Sequence, residues 1–243
     1  MLVAARDGAW AKSGYTAHDY VQVGLIAMWD GIENAGWGLH DADSTEWKDL
    51  TENHSSFSVS DDKWGVDCLI KYSNSVSVVD SVMFRDAVLS GNVSMEVVCR
   101  LVREYIALQD STPICLCKAA NSSSSRDYWF WCSSKNVWQT VCKRRLSGGE
   151  KNLEKLNISC LERCLLSFSG DAIYHNGMIT NQLVDDGGYT DIGTTLQLGR
   201  LGGFNYFHGE ICSIRLYNNN LSAEEIAHNY AVDKSRFGIG GDA

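Results

Sequence analysis

The feature of this sequence that most restricts its fold is a series of short apolar segments of strand length, separated by turns rich in Gly, Asn, Asp and Ser. Strands of this length and spacing are typical of all-β sandwiches and barrels. The clearest segment spans residues 94–102, where apolar and more polar positions alternate. The other predicted strands are residues 23–29, 67–72, 76–82, 114–119, 128–132, 137–143, 195–199 and 210–217.

Two local signals predict how the chain turns and ends. Asn176 and Gly177 lie between alternating residues and tolerate the positive φ angles of a type I′ turn, which predicts a hairpin. Ser222 and Glu225 have the spacing of a capping box, and Leu221 and Ile226 have that of a hydrophobic staple. We therefore expect a C-terminal helix that ends near residue 230.

In the last predicted strand, apolar side chains alternate with side chains that are mostly polar. Strict alternation over residues 210–217 places Cys212, Ile214 and Leu216 on one face and Ser213, Arg215 and Tyr217 on the other. This pattern predicts a strand that is buried on one face of a sandwich.

The C-terminal third resembles the closing segment of laminin-G-like, concanavalin A-like jelly rolls. The family's strand and helix motif is matched by Gly209, Ile211, Ile214, Arg215, Leu216, Tyr217, Leu221, Ser222, Glu225 and Ile226, and its hairpin by Tyr174, Asn176 and Gly177. Near the N-terminus, Asp49 and Asn53 match a characteristic turn, with Glu52 and Ser55 in place of its usual glycines. The resemblance implies an all-β fold, a two-sheet antiparallel jelly-roll sandwich with a short C-terminal helix.

Composition excludes some classes of function. The net charge of −9 disfavours nucleic-acid binding, which needs a basic surface. No segment has the apolar length of a membrane span. The nine cysteines are odd in number, and several lie in apolar strands, so we expect them to pack as small reduced side chains.

The ends of the chain differ from the rest in composition. Residues 1–22 are polar and dotted with glycine, which predicts an N-terminal arm. We expect one sandwich domain over residues 23–237 and a flexible tail over residues 238–243. No signal peptide is recognisable, so we expect synthesis in the cytoplasm followed by association with a virion or a cell surface.

Catalytic patterns are missing from the sequence. A glycoside hydrolase needs two carboxylates about 5–10 Å apart. The pattern E-x-D-x-x-E, which resembles the one that supplies them in hydrolases of this fold, does not occur in the sequence. No nucleophile motif is present, and the six histidines show no ligand spacing. We therefore predict a protein that is not an enzyme.

Aromatic residues in predicted loops are the best indication of function, because sugar rings stack on Trp and Tyr. The predicted carbohydrate-binding residues are Trp37, Trp47, Trp64, Tyr189, Phe204, Tyr206 and His208. Core packing is the alternative for each. The resemblance also implies that a rim calcium ion, if present, is held by Asp185 and Asp191, which otherwise serve as turn residues.

These observations predict a non-catalytic module that recognises a glycan or cell-surface polysaccharide. A structural component of a virion or cell-surface assembly is the alternative, with the N-terminal arm contacting a homo-oligomer or virion partner. A divergent glycoside hydrolase is the third hypothesis.

Overall fold

The computed structural model describes the backbone of residues 2–4, 14–72, 77–101, 114–117, 126–129, 131–133, 137–139, 144–146, 149–151, 158–159, 161–182, 193–201 and 205–240. In chain order the first strands are β1 (Leu2–Ala4), β2 (Leu25–Asp30), β3 (Leu39–Asp41), β4 (Glu46–Trp47), β5 (Phe57–Ser58), β6 (Lys63–Trp64), β7 (Leu69–Lys71), β8 (Ser77–Asp80) and β9 (Ser94–Leu101). They are followed by β10 (Ile114–Cys117), β11 (Arg126–Trp129), β12 (Trp131–Ser133), β13 (Val137–Gln139), β14 (Arg144–Leu146), β15 (Gly149–Lys151), β16 (Ile158–Ser159), β17 (Cys164–Ser169), β18 (Ala172–His175), β19 (Met178–Gln182), β20 (Thr195–Leu198), β21 (Arg200–Leu201), β22 (Asn205–Tyr206) and β23 (Gly209–Tyr217). The helices are a 3₁₀ turn (Ala17–Asp19), α1 (Val82–Ser90) and α2 (Ala223–Phe237).

The larger sheet of the described residues has eight antiparallel strands, with β9 and β23 at its centre. Its order is β19-β18-β17-β9-β23-β7-β6, and β2 pairs with the second half of β23. In β9 the predicted alternation is confirmed, because Met95, Val97 and Cys99 join the main core while Glu96 and Arg100 face the other way.

A second antiparallel sheet has the order β11-β10-β20-β8. Val79, Leu196 and Leu198 from this sheet share one hydrophobic core with Val97 and Ile214 of the larger sheet. Two sheets packed on a common core make the predicted β-sandwich, and the all-β fold class is confirmed.

The predicted turns are present with the expected backbone geometry. Asn176 and Gly177 have φ angles of 49° and 78°, which is the left-handed pair that a type I′ hairpin requires. At the turn that begins with Asp49, Glu52 has a φ of 62°, a left-handed conformation that glycine adopts more readily than other residues. The Asp49 carboxylate stabilises this turn by accepting the amides of Thr51 and His54.

Helix α2 begins as predicted and continues further than predicted. Ser222 caps the amide of Glu225, the Glu225 carboxylate accepts the Ser222 amide, and Leu221 packs with Ile226. The helix ends at Phe237 rather than near residue 230, because Gly238 supplies the left-handed cap.

The prediction for the last strand was wrong at Cys212. A bulge between Ile211 and Ser213 adds one residue, so Cys212 lies on the face opposite Ile214. That opposite face is also buried rather than exposed, because α2 covers it and encloses Arg215.

The expectation that all cysteines are reduced was also wrong. Cys68 and Cys212 form a disulfide between the segment before β7 and strand β23. Among the described side chains, Cys99 and Cys164 are buried in the main core, as expected for cysteines that pack as small apolar residues.

Among the regular elements that were not predicted, α1 and β17 are the longest. Helix α1 occupies the end of the strand predicted over residues 76–82 and continues to Ser90, with Ser81 as its N-cap and Gly91 as its left-handed C-cap. Strand β17 was missed entirely, although it lies between β9 and β18 in the larger sheet. Both elements are apolar segments whose structure depends on neighbours distant in sequence.

Residues 14–22 of the predicted arm pack against the sandwich. Ala17 and Tyr20 are buried in one cluster with Met28 and Val232, and the Tyr20 hydroxyl donates to Asp233 of α2. At the other end of the chain, Ile239 of the predicted tail is fully buried. In the part of the chain that the structure describes, neither helix is long and apolar enough to span a bilayer.

Candidate functional site

A shallow polar cleft of about 330 Å³ opens beside strand β6. We call it the Trp64 cleft. It is lined by Ala42, Asp43, Ser44, Thr45, Val59, Ser60, Asp62, Lys63 and Trp64. Small-ligand pockets span roughly 300–1,000 Å³, so this cleft is large enough for a small polar ligand.

The Trp64 ring is held in place from two sides. Its Nε1 donates to the Ser44 carbonyl at 2.8 Å, and its ring meets the edge of Trp47 with centroids 5.5 Å apart. Trp47 is fully buried, and its Nε1 donates to the Asp30 carbonyl. Because both indole N–H groups are satisfied within the protein, the half-buried Trp64 ring keeps a fixed orientation at the cleft.

One of the charged groups at the cleft, Asp62, is neutralised by a buried lysine. Asp62 pairs with Lys71 at 2.9 Å, with both side chains 1 % exposed, and also accepts the Tyr72 amide. The ammonium of Lys63 lies 5.7 Å from the centre of the Tyr72 ring, and both residues are exposed. The groups that face solvent are therefore the Lys63 ammonium, the Asp43 carboxylate and several hydroxyls.

Of the predicted aromatic binding residues, Trp64 lines this cleft. Trp47 has to be corrected to a core residue, since a side chain with no exposed surface cannot stack on a ligand. Trp37 is half-buried and stacks in parallel on His18, with ring centroids 4.0 Å apart. It packs against the cluster that holds residues 14–22 on the sandwich.

The remaining predicted site residues are in the later loops. Tyr206 is the last residue of β22, and His208 follows two residues later. Both are half-buried, and neither lines the Trp64 cleft. Tyr189 and Phe204 lie outside the described residues, as do the predicted calcium ligands Asp185 and Asp191. At the end of β3, Asp41 accepts the Asp43 amide, and this hydrogen bond lowers the pKa of Asp41.

The sequence did not indicate the polar part of the cleft. Thr45, Ser60 and Lys63 come from different short segments with no recognisable motif, and only the fold brings them together. The one signal was the loop tryptophan beside them.

A second constellation has the connectivity of a Ser-His-Asp triad. The His54 Nδ1 lies 3.0 Å from the Asp49 Oδ2, and its Nε2 lies 2.7 Å from the Ser81 Oγ. However, Ser81 is 1 % exposed, and its Oγ also caps α1 by accepting the Phe84 amide. A nucleophile needs space for a substrate next to its oxygen, so this arrangement instead ties the Asp49 turn to α1.

The buried carboxylates lie mainly under α2. Glu96 and Asp233 both pair with Arg215, and Asp30 and Glu33 both pair with Arg236. Burial raises the pKa of Glu96, and the nearby Arg215 opposes this increase. Each of these acids is buried, so a ligand in the Trp64 cleft cannot reach them.

No family model matches the sequence, and no curated protein matches it. Among solved structures, the chain is similar to a Trypanosoma rangeli sialidase, with a TM-score of 0.58, 14% identity, and coverage of 90% of this chain and 34% of that chain. The same sialidase with 2,3-difluorosialic acid as a covalent intermediate gives a TM-score of 0.59 at 13% identity, again over 90% and 34% of the two chains. The binding domain of botulinum neurotoxin DC in complex with rat synaptotagmin II gives a TM-score of 0.49 at 13% identity, over 66% of this chain and 41% of that chain. This TM-score is too low to support a conclusion about this chain.

The chain spans about a third of the sialidase chains that it matches. At this level of identity the likeness concerns the fold alone. Because one fold carries many functions, the sialidase activity does not transfer to this chain.

Proposed function

We propose that this protein is a non-catalytic recognition module of the laminin-G-like, concanavalin A-like type, and that it binds carbohydrate in the Trp64 cleft. The observation that carries the proposal is the composition of the cleft. A fixed indole lies beside hydroxyl groups, a carboxylate and an ammonium group. Sugars need this combination, because their rings have apolar faces and their hydroxyls need polar partners.

The shallow shape of the cleft also favours a saccharide. Thr45, Ser60 and Asp43 are exposed, so a ligand there keeps one side in water. Polar ligands tolerate such partial exposure, since their outward hydroxyls remain hydrated.

The absence of catalysis is part of the proposal and is supported by the carboxylates. Glycoside hydrolysis requires an acid and a base or nucleophile on either side of the bond. At the cleft, Asp62 is committed to the buried Lys71, which leaves Asp43 as the exposed acid among the described lining residues. One exposed acid does not make the required pair.

Affinity electrophoresis through gels that contain polysaccharides, followed by a glycan array, tests the proposal. We expect retardation by at least one polysaccharide, and we expect Trp64→Ala to abolish it. Ser60→Ala and Lys63→Gln, which leave the Trp47 contact intact, should weaken binding by about three- to tenfold each, as expected for one lost hydrogen bond. Tyr15→Ala removes an exposed aromatic residue outside the cleft and should bind like the unaltered protein.

The outcomes separate the proposal from its rivals. Binding that survives both Ser60→Ala and Lys63→Gln unchanged would place the ligand elsewhere. Release of reducing sugar from any bound polysaccharide, lost on Asp43→Asn, would instead identify a glycoside hydrolase. No retardation by any polysaccharide would remove the carbohydrate assignment.

A further inference from the structure

The disulfide between Cys68 and Cys212 lies beside a carboxylate. The two sulfur atoms and one carboxylate oxygen of Glu210 all lie within 4.8 Å of one another. Cys212 and Glu210 belong to β23, and Cys68 directly precedes β7, the strand that pairs with this part of β23. The sheet therefore holds two cysteine sulfurs and one carboxylate in one place.

Two arginines orient the Glu210 carboxylate. Arg100 donates to Oε1 at 2.7 Å, and Arg163 donates to Oε2 at 2.6 Å. A carboxylate has about four lone-pair positions, so each oxygen keeps capacity for another partner. Fixed partners of this kind typically orient a ligand around a metal centre.

The charges around the disulfide balance. Arg163 also pairs with Asp67 at 2.6 Å, so two cations face two anions. A disulfide is neutral and leaves this balance intact. Reduction to two thiolates adds two negative charges, which in a buried site need two protons or one divalent cation for compensation.

The surroundings suit a thiolate–metal centre. Ile32, Val98 and Phe237 pack around the two cysteines in an apolar cluster. The Glu210 side chain is 13% exposed, so the cluster has an edge towards solvent. Two thiolates and a carboxylate with one further position match the donors that Zn²⁺ takes in sites with three protein ligands and a water.

We propose that Cys68, Cys212 and Glu210 form a redox-controlled site for a thiophilic divalent cation such as Zn²⁺. In the oxidised state the cysteines are a disulfide and offer no thiolate. In the reduced state two thiolates and the Glu210 carboxylate bind the ion, and a water molecule completes the coordination.

A dithiol can serve as the reductant of the Cys68–Cys212 disulfide, and the electrons and protons of the reaction then balance. The dithiol supplies two electrons, the bond between the two protein sulfurs breaks, and a new disulfide forms in the reductant. Its two protons pass to solvent, and the metal ion binds the two protein thiolates.

The test compares the oxidised and reduced protein under anaerobic conditions. Each preparation is freed of reductant, incubated with Zn²⁺, desalted and analysed for bound metal and free thiols. We expect the reduced protein to bind one equivalent of Zn²⁺ more than the double variant Cys68→Ser/Cys212→Ser. The matched control Cys99→Ser/Cys164→Ser, which removes two other buried cysteines, should retain that equivalent.

Further measurements keep the proposal open to refutation if the serine variant does not fold. Glu210→Gln should weaken Zn²⁺ binding by about tenfold or more. In the unaltered reduced protein, Zn²⁺ should protect Cys68 and Cys212 from alkylation, mapped by mass spectrometry. Equal alkylation with and without Zn²⁺, or equal metal content in the reduced protein and the Cys68→Ser/Cys212→Ser variant, would overturn the site and leave a structural cross-link.

Discussion

The guanidinium of Arg215 forms a bidentate ion pair with the carboxylate of Asp233, at 2.9 Å and 2.6 Å, and both side chains are fully buried. Arg215 lies in the central strand β23, and Asp233 lies in α2. Glu96 accepts a further hydrogen bond from Arg215, and the Tyr20 ring stacks on the guanidinium at 4.0 Å. One side chain therefore joins the sheet, the helix and the segment of residues 14–22.

Arg215→Lys should lower the free energy of unfolding by about 3 kcal/mol or more, because a lysine cannot satisfy both carboxylates of a buried network. Chemical denaturation measures the change. Arg85→Lys is the control, since Arg85 pairs with Asp86 at the surface and should cost at most about 1 kcal/mol. Equal losses for the two variants would show that the buried pair has no special role.

The carboxyl of Asp30 gives the fold a dependence on pH. Burial raises the pKa of Asp30 to about 6, Arg236 opposes the shift, and Glu33 adds to it. The folded state therefore holds this proton more tightly than the unfolded state. Stability from this group is fully present below about pH 4 and is lost as the pH rises through about 6, by on the order of 3 kcal/mol.

Asp30→Asn should remove this dependence. Between about pH 4 and pH 7, the unaltered protein should therefore lose unfolding free energy relative to the variant. Urea denaturation at several pH values measures it. Asp86→Asn replaces an exposed aspartate and serves as the matched control. A pH dependence for Asp30→Asn no larger than that for Asp86→Asn would contradict the raised pKa of Asp30.

The hydrogen bonds from Asp49 through His54 to Ser81 should act on stability rather than on catalysis. Ser81→Ala should cost about 1–2 kcal/mol through the lost helix cap, and His54→Gln should couple to it by at least about 0.5 kcal/mol in a double-mutant cycle. Ser222→Ala removes the cap of α2, which has no histidine partner, and should not couple to His54→Gln.

The same experiment includes a serine-reactive phosphonate probe. Because Ser81 is 1 % exposed, we expect no labelling at this residue. Labelling of Ser81 that is lost on His54→Gln would reveal a nucleophile and reverse the assignment.

Much of the fold followed from local patterns. The alternation in β9, the turn at Asn176 and Gly177, and the cap at Ser222 each depend on residues close in sequence. Such patterns work because strand period, positive φ and capping are properties of short segments. Strand β17 and helix α1 were missed because their apolar residues fit either structure until neighbouring elements select one.

The candidate site was less accessible to sequence analysis. Trp64, which was predicted as a binding residue, lines the cleft, but Trp47, chosen by the same criterion, is a core residue. A loop aromatic residue looks the same in sequence whether it faces a cleft or the interior, since burial depends on what packs against it.

The sequence by itself determined the class of fold, the hairpin and the start of the final helix, because these depend on local periodicity and turn chemistry. The tertiary structure alone decided which distant side chains meet. Cys68 and Cys212 are 144 residues apart, and a single-residue bulge turns Cys212 towards its partner. Arg215 lies under a helix rather than in water for the same reason, because the packing of α2 on the sheet decides what its outer face contacts.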